Sequence, residues 1–234
     1  STSAGADALL VSGEFGGIAD LKDTQVAGLE KSVSEYTFRR LVELGGGDPD
    51  EFNFVNMPPE AAAQAMQAGS ADVPAIVVWN PFVLQTLKTT PGVTRLGDSS
   101  SIPGEIIDMV VAQADSLEKP GADRFVAAVA EAYYTIAAEL DDDETLAELG
   151  ALFGGLDADD MRVCVTETQF YATPAAGVEL FEGDTLPASM DLVLQFSVDR
   201  ELVGEKPTVG YGDGAGNLRF DPSYMKQYSE APAE

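Results

Sequence analysis

The apolar positions of this chain follow two styles that change over near residue 113. Before it, short continuous runs alternate with helical periods. "DALLVS" (7–12), "TQVAGLE" (24–30), "FNFVNM" (52–57), "VPAIVVW" (73–79) and "VTRLG" (93–97) are compact apolar runs bounded by Gly, Pro, Asn or Asp, which predicts strands. Between them a helix is predicted from about Ser32, with Val33, Tyr36, Leu41 and Leu44 on or near one face and "GGGDPD" stopping it. "PPEAAAQAMQAG" opens with Pro at the first helical position and closes on Gly, and "NPFVLQTLKT" predicts a short helix. Strand–helix alternation with short connections argues for a parallel or mixed sheet covered on both faces. "EIIDMVVAQ" (105–113) predicts one more strand.

Beyond it the pattern is helical almost throughout. Ala122, Phe125, Val126, Val129, Ala132, Tyr133, Ile136 and Leu140 keep a 3.6-residue period. "DDDETLAELGALFGG", "DADDMRVCVTETQF", "PAAGVELFEG" and "LPASMDLVLQFSVDRELVG" predict further helices, each opened by Asp, Pro or a similar cap, and residues 211–230 are turn-rich and then partly helical. These helices carry apolar faces that need a sheet, and almost no strand is left in the chain to supply it. Standing alone, they are expected to expose an unusually large apolar patch.

Composition narrows the chemistry. The 234 residues suffice for one large domain or two lobes, and 45% hydrophobic content supports real cores. Forty acidic residues against 13 Lys plus Arg give a net charge of -27, which repels nucleic acid and anionic membranes. The chain has no histidine, which removes His-based triads, zinc sites and imidazole acid–base catalysis. Its one cysteine, Cys164, lies among apolar neighbours and reads as a small buried residue. "DPDEF" and "DADDM" lack the sixth-position Gly of a calcium loop, and "GYGDGAG" has no helix after it and reads as a turn. No metal or cofactor site is predicted. No apolar run reaches membrane-span length, and no leader opens the sequence.

"IADLKDTQVAGLEKSVSEYTFRRLVE", "VVWNPFVLQTL", "DSSSIPGEIIDMVV", "TQFYATPAAGVELF" and "GNLRFDPSYM" occur in an order that resembles periplasmic substrate-binding proteins of nitrate/sulfonate/taurine-type ABC transporters. More narrowly they resemble the urea carboxylase-associated branch, linked to urea-like or guanidine-like compounds. The resemblance covers nearly the whole chain; "SVSEY", "WNP" and "SSSIPGEIIDMV" are specific together, whereas "ADLKD" is generic. It implies an α/β, type II periplasmic-binding fold with two lobes joined by crossing strands and solute held between them. On that plan residues 1–12 are a remnant of lobe 1 with the first crossing strand, 13–104 are a complete lobe 2, and 105–234 are the return crossing strand and the mainly helical remainder of lobe 1. The first lobe is then incomplete, lacking an opening segment of about a hundred residues by usual domain size. A missing N-terminal segment or a partner chain would complete it. A half-built cleft is expected to bind solute weakly or not at all.

Candidate ligand-binding residues gather at predicted strand ends. Ser32 and Ser34 open a helix just after a strand, where crevices in open α/β sheets lie; they serve as caps, with Glu35 closing a capping box on Ser32, as ligand contacts, or as both. Glu30 ends the same strand. The family pattern has a histidine at the position of Glu35. Trp79 and Asn80 end another strand, offering a π-face for a planar cation and an amide donor and acceptor, or simple core packing. Glu105 and Asp108 lie in the apolar run "GEIIDMVV" and need a partner: an internal hydrogen bond, or a guanidinium solute that matches a carboxylate bidentately. Ser3 and Asp7 precede the first crossing strand. Lys31 is the only base among these motifs, which weakens an anion reading, though helix amides alone can hold an anion.

The expected function is thus an extracytoplasmic, periplasmic solute receptor that closes about its hinge and is read by an ABC permease, with a urea-like or guanidine-like solute and no catalytic residues. A sulfonate, taurine or nitrate receptor is the alternative. A pyrimidine-synthesising enzyme of the same fold comes last, since its chemistry draws on histidine and a cysteine-rich motif.

Overall fold

The structure, a computed structural model, describes residues 1–230. In chain order its strands and α-helices are β1 (Thr2–Ser3), β2 (Asp7–Ser12), β3 (Gln25–Gly28), α1 (Val33–Leu44), β4 (Asn53–Asn56), α2 (Pro59–Gln67), β5 (Ala75–Trp79), α3 (Phe82–Thr89), β6 (Val93–Asp98), α4 (Ala114–Leu117), α5 (Ala122–Ala137), α6 (Asp143–Leu152), α7 (Ala158–Thr166), β7 (Thr168–Gln169), α8 (Pro174–Glu182), α9 (Thr185–Asp199), β8 (Val209–Tyr211), β9 (Leu218–Phe220) and α10 (Ser223–Glu230). The chain divides into two compact units: Thr2–Ile106 with Ala147–Gln169, and Ser1 with Ile107–Leu146 and the residues from Phe170 onward.

The first unit is built on a five-stranded mixed sheet in the order β4-β3-β5-β2-β6. β3 runs parallel to β4 and β5, whereas β2 lies antiparallel between β5 and β6. Successive side chains of a strand point to opposite faces, and both faces are covered here. Ala8, Leu10, Ala27, Ile76 and Val78 pack with Ala62 and Met66 of α2 and Val83 of α3. The alternate set, Leu9, Val11, Val26, Ala75 and Val77, packs with Phe38, Leu41 and Val42 of α1. Two-sided burial is why "ALLV" and "AIVV" read as unbroken apolar runs. Phe38 makes ring contacts to Phe52 and Phe54 with centroids 5.5 and 5.4 Å apart. In the same unit Lys88 of α3 holds Asp160 of α7 at 2.6 Å.

Among its described residues the second unit has helices and the short parallel pair β8–β9, which lies in the tail expected only to turn and then coil into a helix. Leu186, Met190 and Leu194 of α9 pack on Phe220, with Phe181 and Tyr211 against the same ring. α5 keeps its predicted period, yet over its whole length buries only Tyr134, leaving Phe125 70% and Ile136 43% exposed.

One predicted element is absent. Residues 105–113 form no strand: Glu105 sits in a turn, Ile107 makes a single bridge, and Val110 and Val111 are 75% and 71% exposed. β-branched residues favour a strand, but a strand needs a paired neighbour, and beyond Asp108 this backbone has none among the described residues.

Candidate functional site

Topology gathers polar residues at one edge of the sheet. The register pairs Gly28 with Asn56 and with Val77, so the parallel strands β3, β4 and β5 end at the same edge. β2 starts there, because Asp7 pairs with Trp79, and β6 ends there, because Asp98 pairs with Ala8. α1, α2 and α3 begin a few residues after β3, β4 and β5, so three helix N-termini open at this edge. It is the carboxyl edge of an open α/β sheet, where ligands usually sit.

Six expected residues meet here: Asp7, Glu30, Ser32, Ser34, Trp79 and Asn80. Ser32 is the N-cap of α1, its Oγ accepting from Ser34 N at 3.1 Å and donating to the Leu29 carbonyl at 2.7 Å. Glu35 accepts from Lys31 N at 2.7 Å, because the left-handed turn at Lys31 (φ 57°) brings that amide to the carboxylate. Asn56 Oδ1 accepts from Glu30 N at 3.1 Å. Among the described residues, Ser34 Oγ and Thr37 Oγ1 on α1 are buried without a hydrogen-bond partner. Trp79 is half-buried, and Asn80 is buried with its amide donating to Glu167 at 2.7 Å and its carbonyl accepting from Leu84 N at 3.2 Å. Asn80 is therefore committed to internal bonds. Ser3 Oγ and Ser99 Oγ lie 2.7 Å apart in a buried cluster that also takes the amides of Gly5 and Asp7.

The expected partner of Glu105 is found, but within the chain. Arg40 of α1 grips it with Nε to Oε2 at 2.7 Å and Nη2 to Oε1 at 3.0 Å, and the Tyr36 hydroxyl donates at 2.6 Å. A solute guanidinium has no free carboxylate edge there, since Arg40 supplies the same fork. Burial alone would raise the Glu105 pKa, but the bonds from Arg40 and Tyr36 and the Arg40 charge hold it below the usual carboxylate range. Burial and the bond to Glu105 push the Tyr36 phenol well above its ordinary value. Arg40 also pairs with Glu43. Asp108 belongs to the helical unit, where its Oδ2 takes a 3.4 Å bond from Ser1 Oγ.

Sequence reading missed Arg40, Arg95 and Glu167. Arg95 reaches Asp98 at 3.0 Å, Glu167 at 2.6 Å and the Gly5 carbonyl at 3.2 Å, tying the end of α7 to the sheet. The i, i+4 spacing of Tyr36 and Arg40 was a usable signal, because it puts both on one helix face. Nothing local marks Arg95 and Glu167, which are distant in sequence. Among the described residues no cluster of His, Cys, Asp and Glu is arranged to hold a metal ion, and no helix is long and apolar enough to cross a membrane.

The family profile described as NMT1/THI5 like matches residues 8–141. Among solved structures, the periplasmic aliphatic sulphonate binding protein SsuA from Escherichia coli is similar at TM-score 0.64 and 19% identity, over 88% of this chain and 66% of that one. The alkanesulfonate-binding SsuA from Xanthomonas axonopodis pv. citri, bound to MOPS, gives 0.64 and 14% over 88% and 70%. The zinc-bound ligand-binding component of an ABC-type import system from Staphylococcus aureus gives 0.68 and 12% over 98% and 72%. This chain thus spans just under two thirds of the Escherichia coli protein. At these identities the likeness speaks for the fold. No curated protein sequence matches.

Proposed function

Because the chain belongs to the NMT1/THI5-like family, we propose that it is the extracytoplasmic solute-binding part of an ABC importer, taking a small urea-like or guanidine-like compound and presenting it to a permease. The observation that carries this reading is the sheet edge where three helix N-termini meet a surplus of carboxylates. Asp7, Glu30, Glu35 and Asp98 stand there or just behind it, while Arg40 and Arg95 are both held by carboxylates. Such a rim favours a solute rich in N–H donors, neutral or cationic. The half-buried Trp79 face suits a flat molecule of that kind.

A sulfonate, taurine or nitrate solute is the second reading, favoured by the three helix N-termini, which attract anions. The solved relatives named for sulfonates support it equally. A pyrimidine-synthesising enzyme has least support, since the chain offers no histidine and only the buried Cys164.

An NMR titration of the chain with guanidine, urea, taurine and nitrate separates these readings, reading the amides of residues 30–35 and 56 and the Trp79 indole. Guanidine or urea is expected to move these signals while taurine and nitrate leave them in place. Movement with taurine or nitrate alone transfers the site to anions. No response to any of the four, at solute concentrations high enough to reveal weak binding, overturns a solute site at this edge.

A further inference from the structure

Glu167 closes α7, far in sequence from β5, and its two carboxylate oxygens are divided between two partners at the sheet edge. Oε1 takes a 2.6 Å bond from Arg95 Nη2, and Oε2 takes a 2.7 Å bond from Asn80 Nδ2. Its main-chain oxygen accepts from Ala4 N at 2.8 Å, which fixes where the carboxylate stands. Asn80 is 4% exposed and turns its other end to the first turn of α3, Oδ1 accepting from Leu84 N at 3.2 Å. All these residues belong to the sheet-bearing unit. A primary amide has a donor end and an acceptor end, whereas an ionised carboxylate only accepts, so Glu167 admits only the NH2 end of Asn80. The carbonyl end is then directed to α3, where it takes up one of the amides that a helix leaves open at its start. Arg95 is shared with Asp98 at 3.0 Å, so two carboxylates stand against one guanidinium beside this helix end. A helix N-terminus attracts anions through open amides and a positive dipole end; here an oxygen caps an amide and the neighbouring charge is negative.

We propose that Glu167 is a positioning residue that sets the solute class of this edge. By orienting Asn80 it closes the α3 N-terminus to anions and leaves the edge to neutral or cationic N–H donors. The orientation of Asn80 stands on hydrogen bonds alone, while the choice of solute rests on the solute site proposed above.

The test follows amide exchange and solute response in Glu167→Gln and Asn80→Ala. Glutamine is close in size but can donate, so it lets the Asn80 amide turn over, and alanine removes the cap with no change of charge. Exchange at the Leu84 amide is expected to quicken by about tenfold in both variants, while the Thr90 amide, bonded to Thr86 O at the far end of α3, keeps its rate. Unchanged exchange at Leu84 in Glu167→Gln, or equal quickening at Thr90, overturns the orienting role. In the unaltered chain the Asn80 side-chain amide should exchange more slowly than that of the exposed Asn53; equal rates overturn the bond to Glu167 even if neither variant folds. Titration with guanidine and nitrate then reads solute class at the amides of residues 30–35 and 56. The nitrate response is expected to strengthen relative to guanidine by about threefold or more in both variants. No gain in either variant overturns the role in solute choice, and a gain in Glu167→Gln alone makes the effect one of charge and overturns the part given to Asn80. If neither solute moves the unaltered chain, the solute reading falls, and the Leu84 exchange still decides the orientation of Asn80.

Discussion

Replacing Glu105 by glutamine removes one charge from a side chain that is only 12% exposed, facing an Arg40 side chain that is 17% exposed. Breaking a buried ion pair by removing one partner costs about 3–5 kcal/mol. Glutamine keeps one acceptor for Tyr36 or Arg40, and both groups retain some water, so the expected loss is about 1.5–2.5 kcal/mol. Trp79, the only tryptophan, lies in the same unit and reports its unfolding by fluorescence. With a urea dependence of about 2 kcal/mol per molar, the midpoint at pH 7 should fall by about 0.7–1.2 M. The folded pKa of Glu105 is depressed, so its contribution is complete above the ordinary carboxylate value of about 4.3 and is lost as pH falls through the lower folded value. The gap between wild type and Glu105→Gln should therefore be full at neutral pH and close under acid. Equal midpoints at pH 7, or a gap that persists unchanged in acid, would refute the pairing as a source of stability.

Ser32→Ala removes the N-cap of α1 and should lower stability by about 1 kcal/mol in the same urea assay, with Ser32→Thr close to wild type. Gly28→Ala would set a methyl 2.7 Å from the Phe54 ring and 3.1 Å from the Val77 carbonyl; the ring can give but the backbone cannot, so a loss of about 1–3 kcal/mol is expected. Cys164 is buried, and burial, with Glu167 and Asp160 adding to it, pushes its thiol up to about 11. Iodoacetamide should therefore leave the folded protein unmodified at pH 8 and label it fully in denaturant; rapid labelling of the native chain would contradict that burial.

The sheet was legible because each of its strands is bounded by turn residues and, in β2 and β5, apolar on both faces. α1 was legible as a helix and its serine cap stands where the pattern placed it, but of the expected face Val33 and Leu44 are exposed, and Phe38 and Val42 meet the sheet beside Leu41 instead. Glu105 was correctly marked as a carboxylate in need of a partner, but sequence could not say which one, since Arg40 is brought to it by the turn at residues 103–105. The segment after it was misjudged because local propensity describes one strand at a time, whereas a strand exists by pairing. Arg95 and Glu167 stayed hidden for the opposite reason: each looks like an ordinary surface charge until the fold joins them.

The position of β2 has a consequence for synthesis of the chain. It is made well before both its neighbours, Ala75–Trp79 and Val93–Asp98. Its "ALLV" run therefore emerges from the ribosome with no lasting place to go until β6 has followed. During that interval the nascent protein exposes a strongly apolar strand, which makes the stretch between β2 and β6 dependent on a holding chaperone.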